Sequence, residues 1–275
     1  MGSVPRFPHD SKARIVSMIP ADKSERERPC ALCRRQAKLC KSHIVPEFLY
    51  KDLYDKDHRL WKISTNPLTR TTRPRKGVYE HLLCPECERR TSSWDDYASK
   101  VLRGGIERKM QECYFGWFIS GLNYRLFKLF QLSLLWRAAV SQRPEFQDFL
   151  LARRPKSRLR HMLLSEDPGN PLEFGCLMLV NQTHLGLTGD VVLTRADAQQ
   201  RTGKCLFVMG GLFWLFFIPY VDAKTEEYRF ILSESGEVTV IREEFHTERF
   251  LAGLAVDLKK SGNLPSVEIG GRESE

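Results

Sequence analysis

Two cysteine pairs constrain this chain more than anything else in it. Cys30-Ala31-Leu32-Cys33 is the first and Cys84-Pro85-Glu86-Cys87 the second, with residues 34 through 83 between them. Each pair offers two sulfurs from one tight turn, so the two together supply the four thiolates of a tetrahedral zinc site. Structural zinc in small modules contributes roughly 10–16 kcal/mol of apparent binding free energy. That is enough to fold a segment with little apolar sequence of its own. Two other readings stand beside it. The pairs can be unrelated thiols in a reduced core. Alternatively, Cys30, Cys33, Cys40 and His43 can form a local three-cysteine, one-histidine site, which leaves Cys84 and Cys87 unexplained.

The 275 residues can bury a full core in one large or two small domains. At 42% hydrophobic and 28% charged, the composition is that of an ordinary globular protein rather than a disordered or fibrous one. The eight cysteines do not read as a secreted disulfide scaffold. The chain is too long for one, four of them sit in CxxC pairs, and the first residues lack the apolar stretch of a signal peptide. The expectation is a cytoplasmic protein. The longest apolar run, Leu206 to Tyr220, is interrupted by Gly210, Gly211 and Pro219. It is too short to span a bilayer and reads as a buried hairpin.

Charge is unevenly spread. Residues 1–110 hold 24 Lys and Arg against 14 Asp and Glu, whereas residues 111–275 hold 19 against 20. The cysteine-framed half therefore carries all of the excess, which points to a phosphate-rich partner, the alternative being a solvated basic surface. Arg70, Arg73, Arg75 and Lys76 lie in a Thr/Pro-rich loop suited to contact a nucleic-acid backbone. Arg153, Arg154, Lys156, Arg158 and Arg160 form a second cluster. His161, His184 and His246 have no ligands clustered around them.

Residues 1–28 read as a loose polar arm and residues 29–103 as the cysteine-framed module. Within the module, Gln36 to Val45 is expected as a strand stopped by Pro46, and Pro46 to Tyr54 has helical spacing. Residues 57–76 form a loop and Gly77 to Leu83 a second strand. Glu86 to Leu102 is a helix ended by Gly104-Gly105. Residues 111–275 read as an α+β region. Leu122 to Val140 is a strongly apolar helix, with shorter helices at Glu145–Arg154 and Ser157–Leu164. Strands follow at CLMLVN, GDVVLT, CLFVMGGLFWLFFIPYV, EYRFIL and EVTVI, turning at Gly210-Gly211 and Ser235-Gly236, before a final helix from about Glu243 to Lys259.

The order is thus knuckle, strand with histidine, loop, strand, knuckle, helix. With Ser42-His43-Ile44-Val45-Pro46 on the first strand and Leu82-Leu83-Cys84-Pro85-Glu86-Cys87-Glu88 at the second knuckle, residues 28–103 resemble the HNH family of nucleases, the ββα-metal or His-Me finger fold. They are similar in particular to a zinc-stapled bacterial subgroup with an LCxxCE second knuckle and a further acid downstream, here Asp95. The resemblance implies that His43 is the general base and that Glu88, directly after the last cysteine, is the helix-borne ligand of a catalytic Mg²⁺ or Mn²⁺. It implies a structural Zn²⁺ on Cys30, Cys33, Cys84 and Cys87. The family usually places Asp or His just before the base, where this chain has Ser42, and its middle Asn falls at Tyr79. Asn66, Glu80 and His81 are the candidates to take that Asn's place. Glu88 and Asp95 lie two helical turns apart, about 10 Å along the axis, so Asp95 is expected to pair with a basic residue or orient another group rather than share one ion.

The chemistry fits those residue types. A neutral histidine takes a proton from water near pH 7, and a divalent ion stabilises the charge of phosphodiester cleavage. The expectation is therefore an α+β protein: an N-terminal zinc-stapled ββα-metal module, then helices and a mostly antiparallel sheet. Its expected activity is metal-dependent cleavage of nucleic acid, DNA before RNA, which the subgroup resemblance allows to serve in defence against foreign DNA. The alternative is an inactive zinc-binding module that holds nucleic acid or a protein partner. Residues 111–275 announce no chemistry and offer at most a face for a second copy or a partner protein.

Overall fold

The computed structural model describes residues 27–59, 71–75, 77–146, 149–180 and 203–262. Strand β1 (Arg28–Pro29) pairs antiparallel with β2 (Gln36–Ala37), and the first cysteine turn lies between them. Arg34 closes that turn in the left-handed region at φ 69°, with its N–H on the Cys30 carbonyl at 2.9 Å. Strand β3 (Cys40–His43) pairs antiparallel with β4 (Tyr79–Leu83), placing Lys41 opposite His81, Ser42 opposite Glu80 and His43 opposite Tyr79.

Helix α1 (Pro85–Arg103) starts directly after β4. Pro85 stands in the first turn, where its missing N–H costs nothing, and Gly104 ends the helix at φ 86°. The helix expected over Pro46–Tyr54 is instead two single 3₁₀ turns, Glu47–Leu49 and Lys51–Leu53, broken at Tyr50. Packing overrides the spacing there. Tyr50 is buried, and its ring fills the space beside Gly77 that a Cβ would occupy, within 1.9 Å of the Tyr50 hydroxyl.

The hairpin β5 (Lys109–Cys113) and β6 (Gly116–Ser120) follows, an element not expected from the residue pattern. Helix α2 (Tyr124–Val140) is capped by the Asn123 side chain, which accepts the Leu126 N–H at 3.0 Å. It is buried nearly all round, as the apolar run predicts. The two shorter helices expected next are one 3₁₀ turn at Pro144–Phe146 and one helix, α3 (Arg153–Ser165). Phe146, Phe149 and Leu151 between these two elements are all buried.

Among the described residues, strands β7 (Cys176–Val180), β8 (Lys204–Met209), β9 (Leu212–Phe217) and β10 (Val238–Arg242) complete a six-stranded sheet of order β5-β6-β10-β7-β9-β8. Every pairing is antiparallel except β10 with β7. Gly210 and Gly211 turn the β8–β9 hairpin with φ of 62° and 75°, the two left-handed residues that a tight hairpin requires. The expected strand EYRFIL is instead a 3₁₀ turn, Glu226–Arg229. Its Ile231 packs with Leu177, Phe217 and Val221 as a small cluster, so the segment covers sheet residues rather than extending the sheet. The expected strand GDVVLT lies outside the described residues. Helix α4 (Phe245–Ser261) closes the chain's described part.

The architecture is α+β. No helix among the described residues is long and apolar enough to cross a membrane. One continuous cluster of buried side chains joins Cys30, Leu32, Leu83 and Trp94 to Phe130 and Trp136 of α2 and to Phe207 and Trp214 of the sheet. Trp214 is fully buried, meets Phe130 edge-on at 5.9 Å and donates its indole N–H to the Met209 carbonyl at 3.1 Å. Trp214→Ala should cost about 3–5 kcal/mol, read as a lower midpoint in urea unfolding.

Candidate metal centre and adjoining site

The Sγ atoms of Cys30, Cys33, Cys84 and Cys87 all lie within 4.8 Å of one another. Cys33 and Cys84 are 3.7 Å apart, far too long for a disulfide and close to the edge of about 3.8 Å that metal–sulfur bonds of about 2.3 Å give a tetrahedron. The β1–β2 turn carries one pair. The other stands at the β4–α1 junction, with Cys84 just before the helix and Cys87 in its first turn. The Cys84 N–H points at the Cys30 sulfur at 3.3 Å, and Ala31 N–H reaches the Leu82 carbonyl at 3.0 Å, so backbone bonds hold the two turns in register.

Burial pushes the Cys30 and Cys87 thiols up, and neighbouring thiols raise them further. At Cys33 burial is outweighed by hydrogen bonds from Arg35, and the thiol falls to about 6. Four thiolates packed this closely repel one another, and a divalent cation is what makes them compatible. The four cysteines are positioned to hold a metal ion. Cys40 is not among them, so the local site of Cys30, Cys33, Cys40 and His43 is not formed.

Beside this centre lies a second group of polar side chains. Ser42, 1% exposed, accepts the Leu83 N–H at 3.2 Å and donates its hydroxyl to one oxygen of Glu88. Burial pushes the Glu88 carboxyl up, against the Ser42 hydrogen bond and the positive charge of Arg137. Burial likewise pushes the Asp95 carboxyl up, opposed first by Arg137 and then by His43 at the end of β3, which opposes the Glu88 shift too. Asp95, two turns further along α1, is gripped at both oxygens by Arg137 of α2, each at 2.8 Å. The same guanidinium donates to the His43 carbonyl at 3.0 Å.

Arg137 is the residue that the sequence reading passed over. Its one local signal is a charge in a strongly apolar helix, a signal it shares with Lys128, and it is 2% exposed. The remaining candidates are dispersed. Glu80 accepts from the Ser141 hydroxyl at 2.8 Å and the Gln142 N–H at 3.0 Å, which ties it to the end of α2 rather than to His43. His81 pairs opposite Lys41, and Lys41 lies over the Tyr79 ring at 5.5 Å. Arg73 is salt-bridged to Asp55, and Arg75 is exposed. Asn66, Arg70 and Lys76 lie outside the described residues. In the second basic cluster Arg158 is committed to Glu173 through two bonds of 2.7 and 2.8 Å.

As a site for a hard divalent ion the group is sparse. Among the described residues Asp95 has both oxygens engaged and Glu88 one, which leaves the second Glu88 oxygen as the one carboxylate oxygen of this group without a hydrogen bond. Magnesium sites often take only one or two carboxylates and fill the rest of their shell from outside the protein, so a donor set this small does not by itself define such a site. Comparisons with protein-family models, with curated proteins and with solved structures found no match for this chain.

Proposed function

We propose that the protein is a metal-dependent nuclease of the ββα-metal type that hydrolyses nucleic-acid phosphodiesters, DNA before RNA, around a structural zinc on Cys30, Cys33, Cys84 and Cys87. One observation carries the reading. His43 ends β3, the strand whose Ser42 hydroxyl bonds Glu88 in the first turn of α1, and the four-cysteine centre clips hairpin to helix. His43 takes the proton of the attacking water. Ser42 holds Glu88 in place through its hydroxyl, and the free Glu88 oxygen is the protein's ligand for Mg²⁺ or Mn²⁺. When bound, such an ion stabilises the charge that builds on the phosphate and the leaving oxygen. The reading places the protein in the cytoplasm, where reducing conditions preserve thiolates for zinc.

The Ser42–Glu88 hydrogen bond favours a second reading, because it occupies one oxygen of the proposed ligand and stands where the family usually carries Asp or His. That reading is a zinc-stapled module that binds nucleic acid without cutting it. Supercoiled plasmid and a structured RNA, each incubated with Mg²⁺ or Mn²⁺, separate the two. Nicking supports the nuclease, while retention on a gel without nicking supports the binder.

Both readings assign the affinity to the basic N-terminal half. Binding should weaken steeply with salt, at about 0.9 log units of affinity per log unit of salt for each neutralised phosphate of duplex DNA. Replacing Arg70, Arg73, Arg75 and Lys76 together with glutamine should flatten that slope, with Arg73 adding least because it already pairs with Asp55. A slope unchanged in filter-binding titrations removes this loop from the interface.

A further inference from the structure

We infer that Arg137, outside the cysteine-framed segment, is a positioning residue for His43 and Glu88, an inference that rests on the nuclease reading. All five of its N–H donors are used. Nε reaches the Ser133 carbonyl at 3.3 Å and Nη2 the Ser133 hydroxyl at 3.0 Å. The rest go to the two Asp95 oxygens and to the His43 carbonyl. One rigid fork thus fixes the end of β3 relative to α1, the two elements that carry His43 and Glu88. It does a second thing as well. With one Asp95 oxygen on each Nη, it also neutralises the carboxylate two turns along α1 from Glu88. Lysine keeps the charge but has three donors and no planar fork, so it cannot reproduce this pattern.

The test compares wild type, His43→Ala, Arg137→Lys and Asp95→Asn in the full chain. Plasmid cleavage is measured across substrate concentration, and the His43 ring resonances are followed by NMR with His81 as the internal control. Arg137→Lys should lower kcat at least tenfold with KM within about twofold, and should shift the His43 ring signals while leaving those of His81 in place. Asp95→Asn, which keeps the buried arginine, should do the same to a lesser degree and decides the matter if Arg137→Lys does not fold. Wild-type kcat in the folded variants, with His43→Ala inactive, overturns the inference and leaves the nuclease reading intact. A wild type that cuts nothing sinks the nuclease reading instead. Positioning is then judged on the His43 signals alone, and their constancy in the folded variants overturns it.

Discussion

Cys84→Ser should strip the metal from the four-cysteine centre and unfold the segment around it, while Cys40→Ser should leave both intact. The expected loss is large because apparent zinc-binding free energies of roughly 10–16 kcal/mol match or exceed the whole stability of a typical domain, about 5–15 kcal/mol. Serine is itself a good residue to precede a helix, so any loss cannot be charged to a weakened start of α1. The remaining cysteines do not compensate. Burial raises the Cys30 and Cys87 thiols, and without a cation they favour the neutral form that does not bind metal. The damage should spread, since Cys30, Leu32, Leu83 and Cys87 belong to the same buried cluster as Trp94 and Trp136. Metal analysis of protein purified without added zinc should find about one equivalent per chain in the wild type and in Cys40→Ser. Thermal melting and a strong chelator should give the matching pattern. A Cys84→Ser protein that keeps its metal and its melting temperature would falsify the four-thiol assignment.

His43→Ala should lower the cleavage rate by about 10²–10⁴-fold, the usual contribution of a general base, equivalent to about 2.7–5.5 kcal/mol of barrier. Metal content, melting and nucleic-acid affinity should stay close to wild type. The structure gives a reason for that separation. The bond that ties this residue to Arg137 uses its backbone carbonyl, and alanine retains it. The substitution therefore removes the imidazole without releasing the strand end. If His43→Ala cuts as fast as wild type, the activity belongs to another site or to a contaminant.

What local sequence states directly, the structure repeats. The CxxC turns meet, α1 runs from just after Cys84 to the glycine at 104, and the Gly210-Gly211 turn folds the apolar run into β8 and β9. The helix bounds and the hairpin turn depend on residues within a few positions of one another, whereas the meeting of the CxxC turns joins positions 51 apart and follows from the four ligands that one metal ion takes. The misreadings share an opposite character. The Pro46–Tyr54 spacing is helical, yet Tyr50 is spent on the gap beside Gly77. EYRFIL has strand composition, yet its Ile231 is used to cover sheet residues. The β5–β6 hairpin escaped notice because β5 is largely exposed and lacks an alternating pattern.

The sequence by itself determined the four candidate metal ligands, the strand–helix order around them and the placement of His43 and Glu88 near the two knuckles. It carried these because turn chemistry, helix stops and short-range apolar spacing act locally. Only the tertiary structure decided what holds those side chains. The Ser42 hydroxyl meets a carboxylate 46 positions away, and Arg137 reaches Asp95 across 42 positions and the His43 carbonyl across 94. Such contacts are fixed when α2 packs its fully buried face against α1 and the β3–β4 hairpin. A buried guanidinium must then find acceptors wherever packing has placed them, because leaving it unpaired away from water would cost several kcal/mol.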